Sequence, residues 1–169
     1  MPRRAVLLSP VISTLPKSVG RFGAEVPLPS EVALLGFSPA EVDVDLVLRS
    51  VAVLRAGGRS VRLRLIGSPG EASPIGEHWK RAAGRAGCAE VLTFTGILSP
   101  ERLAETLSSA GIILIALRTG PSSRKTTVAS ALASGRPIVA VDGIDTWERL
   151  RATAAVCLVP PSAEAVAGI

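Results

Sequence analysis

The sequence predicts an α/β protein with a doubly wound parallel sheet of about six strands, a three-layer Rossmann-like sandwich. Short apolar runs alternate with longer segments of helical periodicity, and this alternation indicates right-handed βαβ crossovers. The runs lack strict apolar–polar alternation, as expected for strands buried on both faces. With 169 residues, 47% of them hydrophobic and 20% charged, the chain suits one domain with a sizeable core.

Six β-branched or apolar runs predict the strands. They are Val32–Leu35, Val61–Ile66, Val91–Phe94, Ile112–Leu117, Ile138–Val141 and Val156–Val159. Six amphipathic segments predict the helices. These are Ala40–Ala56, Ile75–Ala86, Pro100–Ser109, Ser123–Ala133, Asp145–Ala152 and Ala163–Gly168. Local signals support the boundaries, because Ser99 is a predicted N-cap before Pro100, and Gly135 follows a predicted helix end.

Residues 1–30 differ from the rest of the chain in composition. Prolines and glycines interrupt them, which predicts an irregular segment with a short strand at Ala5–Leu8. The segment resembles a connection between domains, so we divide the chain into this segment and a domain at residues 31–169. Because the chain also ends just inside a last helix, we expect it to be one lobe of a larger protein or a protein reduced to one lobe.

Composition excludes several classes of function. The longest apolar run, Ile112–Leu117, is far shorter than the roughly 18 residues of a membrane span, so we expect no transmembrane segment and a cytoplasmic protein. Two distant cysteines and one histidine, His78, offer neither a histidine-based triad nor a usual metal site. The net charge of +5 invites a nucleic-acid interpretation, but aromatic residues are only 3% and the arginines are dispersed, so we expect no nucleic-acid binding.

Ligands of a doubly wound sheet bind beyond the carboxyl ends of its strands. The loops at that edge are predicted at Gly36–Ala40, Gly67–Pro74, Thr95–Ser99, Arg118–Ser123 and Asp142–Thr146. The loop after the fourth strand leads into a helix through the richest set of polar residues, namely Ser122, Ser123, Arg124, Lys125 and Thr126. Free N–H groups, the helix dipole, hydroxyls and two cations favour an anion such as a phosphate there. The alternative is ordinary capping by Ser122 or Ser123, with both cations solvated.

Other motifs are weaker. A P-loop needs glycine where this chain has Arg124 and Thr119, and no dinucleotide fingerprint follows the first strand. Asp43 and Asp45 point to different sides of a helix, where they complement its dipole. Asp142 and Asp145 are a remaining pair of carboxylates, but the basic loop already offers positive charge to a phosphate. We therefore expect no metal site and no cofactor, and no catalytic residue is identified.

Four stretches in a fixed order resemble a known family. They are LIG at 65–67, VLTFTGILSPERL at 91–103, AGIIL at 110–114 and ALASGRPIVA at 131–140. In order and spacing, residues 32–168 are similar to the C-terminal, donor-binding domain of GT-B glycosyltransferases, and most similar to the retaining "glycosyl transferases group 1" type. The resemblance implies a lobe that binds a nucleoside-diphosphate sugar and works with a separate N-terminal acceptor-binding lobe.

The resemblance also points to site residues and to two departures. Family members often carry two glutamates eight positions apart that contact the sugar and the ribose, and Ser122 and Ser130 stand at those positions here. A basic pair normally follows the first strand, yet the stretch Phe37–Asp45 has no basic residue. A divergent branch has a Ser-x-Arg-Arg/Lys-Thr/Gly-Ser/Thr pattern, to which residues 122–127 are similar. Arg124, Lys125 and Thr126 would then lie at the diphosphate.

Two glycines complete the expected site. The resemblance implies that Gly67 and Gly96 let the nucleotide approach the backbone, with Gly96 near the base; the alternative is simple strand-to-loop turns. The predicted function is a glycosyltransferase-type donor-binding lobe, part of a larger or two-component enzyme. The alternative is a non-catalytic, degenerate module that binds a nucleotide or a protein.

Overall fold

Six parallel strands form a single sheet in the order β3-β2-β1-β4-β5-β6. A computed structural model describes residues 31–67, 70–153 and 155–168, and every element below lies in these ranges. The strands are β1 (Glu31–Leu35), β2 (Arg62–Ile66), β3 (Leu92–Phe94), β4 (Ile112–Ile115), β5 (Ile138–Val141) and β6 (Cys157–Val159). All pairings between them are parallel, so the predicted doubly wound, Rossmann-like sheet is confirmed. The predicted irregular segment at 1–30, with its strand at Ala5–Leu8, lies outside the described residues.

Helices cover both faces of this sheet. They are α1 (Val44–Ala56), α2 (Pro74–Arg85), α3 (Pro100–Ser109), α4 (Thr126–Ser134), α5 (Glu148–Ala152) and α6 (Ala163–Ala167). Helix α1 packs against α2 and α6, and α3 packs against α4. Because parallel crossovers are right-handed, α3, α4 and α5 occupy the face opposite to α1, α2 and α6.

Three helices, α1, α4 and α5, begin later than the sequence predicts. The predicted start of α1 at Ala40 is wrong, because the N–H groups of Glu41 and Val42 both donate to the Ser38 carbonyl (2.9 Å each) in a preceding turn. The carboxylate of Asp43 then accepts from the N–H of Leu46 (3.1 Å) and caps the helix. The predicted start of α5 at Asp145 is also wrong, since that stretch is tied to the loop after β4 and the helix begins at Glu148.

The core consists of the central strands and the inner faces of the helices. Leu34, Leu63, Leu65 and Ile113 are fully buried in the sheet, although Leu63 and Leu65 alternate with Arg62 and Arg64 in β2 and do not lie in an unbroken apolar run. On α2, His78 is exposed at the surface while its neighbour Trp79 is fully buried.

An aromatic cluster supports the carboxyl edge of the sheet on the β1–β3 side. The indole N–H of Trp79 donates to the main-chain carbonyl of Phe37, just after β1, at 2.8 Å. The Phe37 ring meets Trp79 edge-on at 6.4 Å and Phe94 edge-on at 6.1 Å between centroids, an arrangement that favours aromatic pairs. These side chains therefore fix the position of the turn after β1.

Candidate functional site

The strand order places the topological switch point between β1 and β4, whose connections leave in opposite directions. The two loops that start there, residues 36–43 and 116–125, are bonded to each other through the main chain. The Asp43 N–H donates to the Ala116 carbonyl (3.3 Å), and the Arg118 N–H donates to the Glu41 carbonyl (2.8 Å). Val42 and Leu117 form an antiparallel bridge between them. Strand β4 therefore ends at Ile115, two residues before the predicted end. The hydrogen bonds between the two loops hold the main chain of the candidate site in place.

Helix α4 begins at this switch point without a side-chain cap. The alternative interpretation, with Ser122 or Ser123 as the N-cap, is wrong, because the chain makes a turn there, with the Lys125 N–H donating to the Ser122 carbonyl (3.3 Å), and the helix starts at Thr126. Lys125 holds the N-cap position, and lysine has no acceptor to offer. Within the described ranges no acceptor is recorded for the N–H groups of Thr126 and Thr127. By contrast, side chains cap α1, α2, α3 and α6.

The charges around α4 are only partly as predicted. Lys125 is not simply solvated, since its ammonium group forms an ion pair with Glu41 from the loop after β1. The guanidinium of Arg118 lies 3.6 Å from the carboxylate of Asp43, which is in the same loop as Glu41. Arg124 is exposed and forms no ion pair with any described residue. One unpaired guanidinium and two open N–H groups at a helix N-terminus can together bind an oxyanion.

The other predicted site residues lie at different depths. Thr126 is exposed at the start of α4, and Ser122 and Ser123 are half-buried in the turn before it. Ser130 is one turn further along the helix and only 3% exposed, so it lies beneath the surface of the site. Gly36, directly after β1, faces this helix closely, because a Cβ there would lie 2.9 Å from Thr127 Cγ2.

Gly67 and Gly96 lie on neighbouring loops after β2 and β3, joined by an antiparallel bridge. The Gly67 N–H donates to the Thr95 hydroxyl oxygen (3.0 Å), and that hydroxyl donates to the Gly96 carbonyl (3.1 Å). Both glycines have positive φ, +113° and +68°, which explains the residue type. A Cβ at either position would meet no described atom within 4 Å, so the space above both backbones is open.

The loops after β4 and β5 are locked together. The Asp145 N–H donates to the Thr119 carbonyl (2.7 Å), and the Trp147 N–H donates to the Pro121 carbonyl (2.9 Å). Gly143 packs directly on this loop, since a Cβ there would lie 2.5 Å from the Thr119 carbonyl oxygen. The β5 loop therefore positions the segment that leads into α4.

Asp142, directly after β5, is fixed where the loops after β4 and β5 are hydrogen-bonded to each other. Its carboxylate accepts from the Gly143 N–H (2.9 Å) and from the Arg151 guanidinium (2.5 Å). The hydrogen bond from Thr146, followed by that from Arg151, lowers the pKa of Asp142 below its ordinary value. The carboxylate of Asp142 is therefore already hydrogen-bonded within the protein. Within the described ranges no group of three His, Cys, Asp or Glu side chains converges to hold a metal ion.

We expect Asp142→Asn to lower the free energy of unfolding at pH 7, with a smaller difference from wild type at pH 3. A carboxyl group whose pKa is lower in the folded chain stabilises the fold above its unfolded pKa of about 3.9, and this contribution is lost as pH falls through the folded pKa. Urea unfolding at the two pH values measures the change. Asp145→Asn is the control, because that exposed side chain has no hydrogen bond or ion pair to any described residue. A deficit of Asp142→Asn that is equal at both pH values would contradict the assignment.

Sequence reasoning missed the acidic partners of the site. The sequence predicts that Glu41 and Asp43 lie in a helix, whereas the structure sets them against Lys125 and Arg118 in the loop after β4. The predicted strand order contained the necessary signal, because it makes β1 and β4 neighbours and brings the loops that follow them side by side. Charges of opposite sign in those two loops are then close enough to pair.

The comparisons with known proteins agree with this architecture. The fold is that of a Rossmann-like α/β domain whose ligand edge lies at the switch point. The sequence profile described as glycosyl transferases group 1 matches residues 31–168, and the chain belongs to this family. A search of curated proteins finds no match. No described helix is long and apolar enough to cross a membrane.

Solved structures share the fold at low identity. WaaG, a glycosyltransferase involved in lipopolysaccharide biosynthesis, is 14% identical with a TM-score of 0.65, over 85% of this chain and 38% of its own. HepE of Anabaena, in complex with UDP and glucose, is 17% identical with a TM-score of 0.62, over 85% and 38%. An O-GlcNAc transferase from Thermobaculum terrenum is 21% identical with a TM-score of 0.62, over 92% and 31%. The chain thus spans less than half the length of each of these proteins.

Proposed function

We propose that this domain binds a nucleoside-diphosphate sugar and acts as the donor lobe in retaining glycosyl transfer when an acceptor-binding lobe completes it. The observation that carries the proposal is the uncapped N-terminus of α4, which presents open N–H groups and Arg124 at the switch point. Membership of the glycosyl transferases group 1 family supports the class of ligand. The acceptor lobe and a cytoplasmic location are parts of the same proposal.

The diphosphate lies at the first turn of α4 in this proposal. The N–H groups of Thr126 and Thr127 and the guanidinium of Arg124 hold its oxygens, with Lys125, Ser122 and Ser123 beside them. As the glycosyl bond breaks, negative charge develops on the leaving diphosphate, and these fixed donors stabilise it. The N–H donors need little reorganisation, since the loop that leads into α4 is hydrogen-bonded to the loops after β1 and β5.

The nucleoside extends along the carboxyl edge towards β2 and β3. Gly67 and Gly96 leave space above their backbones that is free of described atoms, which suits the ribose and the flat base. Uridine diphosphate is the first probe to test, because HepE of Anabaena and the pneumococcal O-GlcNAc transferase GtfA, both of the same fold, were crystallised with it.

A specific observation favours a non-catalytic binding module as the second candidate. The loop after β1, where the family resemblance implies a basic pair, carries buried Phe37 and Val42 and the acid Glu41 instead. Ser122 and Ser130 replace both glutamates that the resemblance implies. Such a module retains nucleotide binding but transfers nothing, so turnover in the presence of an acceptor lobe separates the two candidates.

We expect uridine diphosphate to raise the melting temperature of the purified chain, both with Mg²⁺ and with excess chelator. At one hundred times its dissociation constant, a ligand adds about 2.7 kcal/mol to the free energy of unfolding. Arg124 and the α4 N–H groups compensate the phosphate charge without a metal. A flat response to nucleoside diphosphates at millimolar concentration would refute the binding proposal. A response that disappears with chelator would refute only its metal-free form and would direct attention to Asp142 and Asp145.

A further inference from the structure

We infer that Glu41 is an internal competitor for the anionic ligand and thereby sets the affinity of the site; this inference rests on the proposed function. The carboxylate of Glu41 pairs with Lys125, the residue at the N-cap of α4. A ligand phosphate that approaches the open N–H groups of Thr126 and Thr127 meets this pair. It gains the charge of Lys125 only by displacing Glu41.

The local structure allows the side chain of Glu41 to leave while its backbone stays. Its N–H donates to the Ser38 carbonyl (2.9 Å), and its carbonyl accepts from the Arg118 N–H (2.8 Å), so the main chain is fixed on both sides. The side chain is 52% exposed, and the pair with Lys125 is its only ion pair or hydrogen bond with a described residue. Rotation of the side chain away from Lys125 therefore breaks this exposed ion pair and no other hydrogen bond within the described ranges.

Asp43 is not equivalent to Glu41, although both acids face cations of the loop after β4. Its carboxylate accepts from the Leu46 N–H and caps α1, so displacement of Asp43 from Arg118 would also uncap a helix. Glu41 has no such second role. Of the two carboxylates, only Glu41 is placed to exchange with a ligand.

The charge balance of the two loops explains why this exchange matters. Residues 36–43 and 116–125 carry three cations, Arg118, Arg124 and Lys125, against the carboxylates of Glu41 and Asp43. This leaves a single net positive charge at a site that is proposed to bind a multiply charged diphosphate. A displaced Glu41 also stays beside the ligand on its fixed backbone and repels it. Both effects weaken binding, and both disappear when Glu41 becomes neutral.

We expect Glu41→Gln to bind uridine diphosphate at least threefold more tightly than wild type in calorimetric titrations at low ionic strength. The same gain is expected for inorganic diphosphate but not for uridine, because the competition concerns the phosphates alone. Lys125→Met should weaken binding more in the Glu41→Gln background than in wild type, where Lys125 is already paired. Melting temperatures of all variants verify that they are folded.

Glu77→Gln is a matched control. Glu77 and Lys80 on α2 form an ion pair with side-chain exposures of 53% and 39%, close to the 52% and 37% of Glu41 and Lys125. Glu77→Gln changes the net charge by the same amount as Glu41→Gln, but α2 packs on the face of the sheet opposite to α4. The affinity of Glu77→Gln for uridine diphosphate should therefore remain within about twofold of wild type.

The outcomes separate the two levels of the proposal. If wild type binds the diphosphate and Glu41→Gln binds equally or more weakly, Glu41 positions Lys125 instead of competing, and the inference fails while the proposed function stands. If wild type binds nothing and Glu41→Gln binds, the proposed function of the wild-type domain is refuted, although competition by Glu41 is supported. If neither folded protein binds any diphosphate, both the proposed function and the inference are refuted.

Discussion

Gly143→Ala is expected to destabilise the protein by about 2–3 kcal/mol, the upper part of the usual range for overpacking. A Cβ at this position would lie 2.5 Å from the Thr119 carbonyl oxygen and 2.6 Å from the Gly120 nitrogen. Both neighbours are main-chain atoms in a loop that is bonded to Asp145 and Trp147, so neither can move away cheaply. Denaturant unfolding of the two proteins gives the difference directly.

Gly84→Ala is the control for this prediction. Gly84 lies in α2, and a Cβ there would meet no described atom within 4 Å. Alanine loses less conformational entropy than glycine in a helix, so this variant should be more stable than wild type by about 0.5–1 kcal/mol. The same chemical change thus has opposite signs at the two positions. Equal stabilities of the two variants would mean that the loops after β4 and β5 are not packed as described.

Arg124→Ala is expected to weaken the binding of uridine diphosphate by about 10- to 100-fold, or about 1.5–3 kcal/mol. The guanidinium is exposed at the open end of α4 and carries the charge there that no described carboxylate compensates. Removal of this charge leaves Lys125, which is already paired with Glu41. Isothermal titration calorimetry at fixed salt concentration measures the loss.

Arg136→Ala tests whether this loss depends on position. Arg136 follows α4 and enters β5 at the opposite edge of the sheet, where its side chain donates to the Gly111 carbonyl at 3.4 Å. The change in net charge is identical, so a general electrostatic effect would weaken binding in both variants alike. We expect the affinity of Arg136→Ala to stay within about twofold of wild type. Equal losses in the two variants would remove Arg124 from the site.

The strand pattern and the sheet order were predictable from sequence because both depend on local periodicity and on chirality. A strand buried on both faces requires an unbroken apolar run, and each right-handed crossover restricts where the next strand lies. Pro100–Ser109 was predicted to the residue, since Ser99 and Pro100 mark its start chemically. The start of α1 was not, because Val42 pairs with Leu117, a residue 75 positions away along the chain.

The location of the candidate site was also predictable in part. A doubly wound fold directs attention to the carboxyl edge, and the polar stretch 122–127 stands out there. Which of its groups are available to a ligand was not predictable. Ser122 and Ser123 look like caps in sequence, and only the turn before Thr126 shows that they are not.

The sequence by itself determined the α/β class, the alternation of strands and helices, the family resemblance and the edge of the sheet that carries the candidate site. These properties follow from hydrophobic periodicity and from short motifs, which are local in the chain. Only the tertiary structure decided that Lys125 is paired, that Arg124 forms no ion pair with a described residue, and that the β5 loop fixes the entry to α4. The physical reason is that Coulomb and contact energies depend on distance through space, and Glu41 and Lys125 meet although 84 positions separate them.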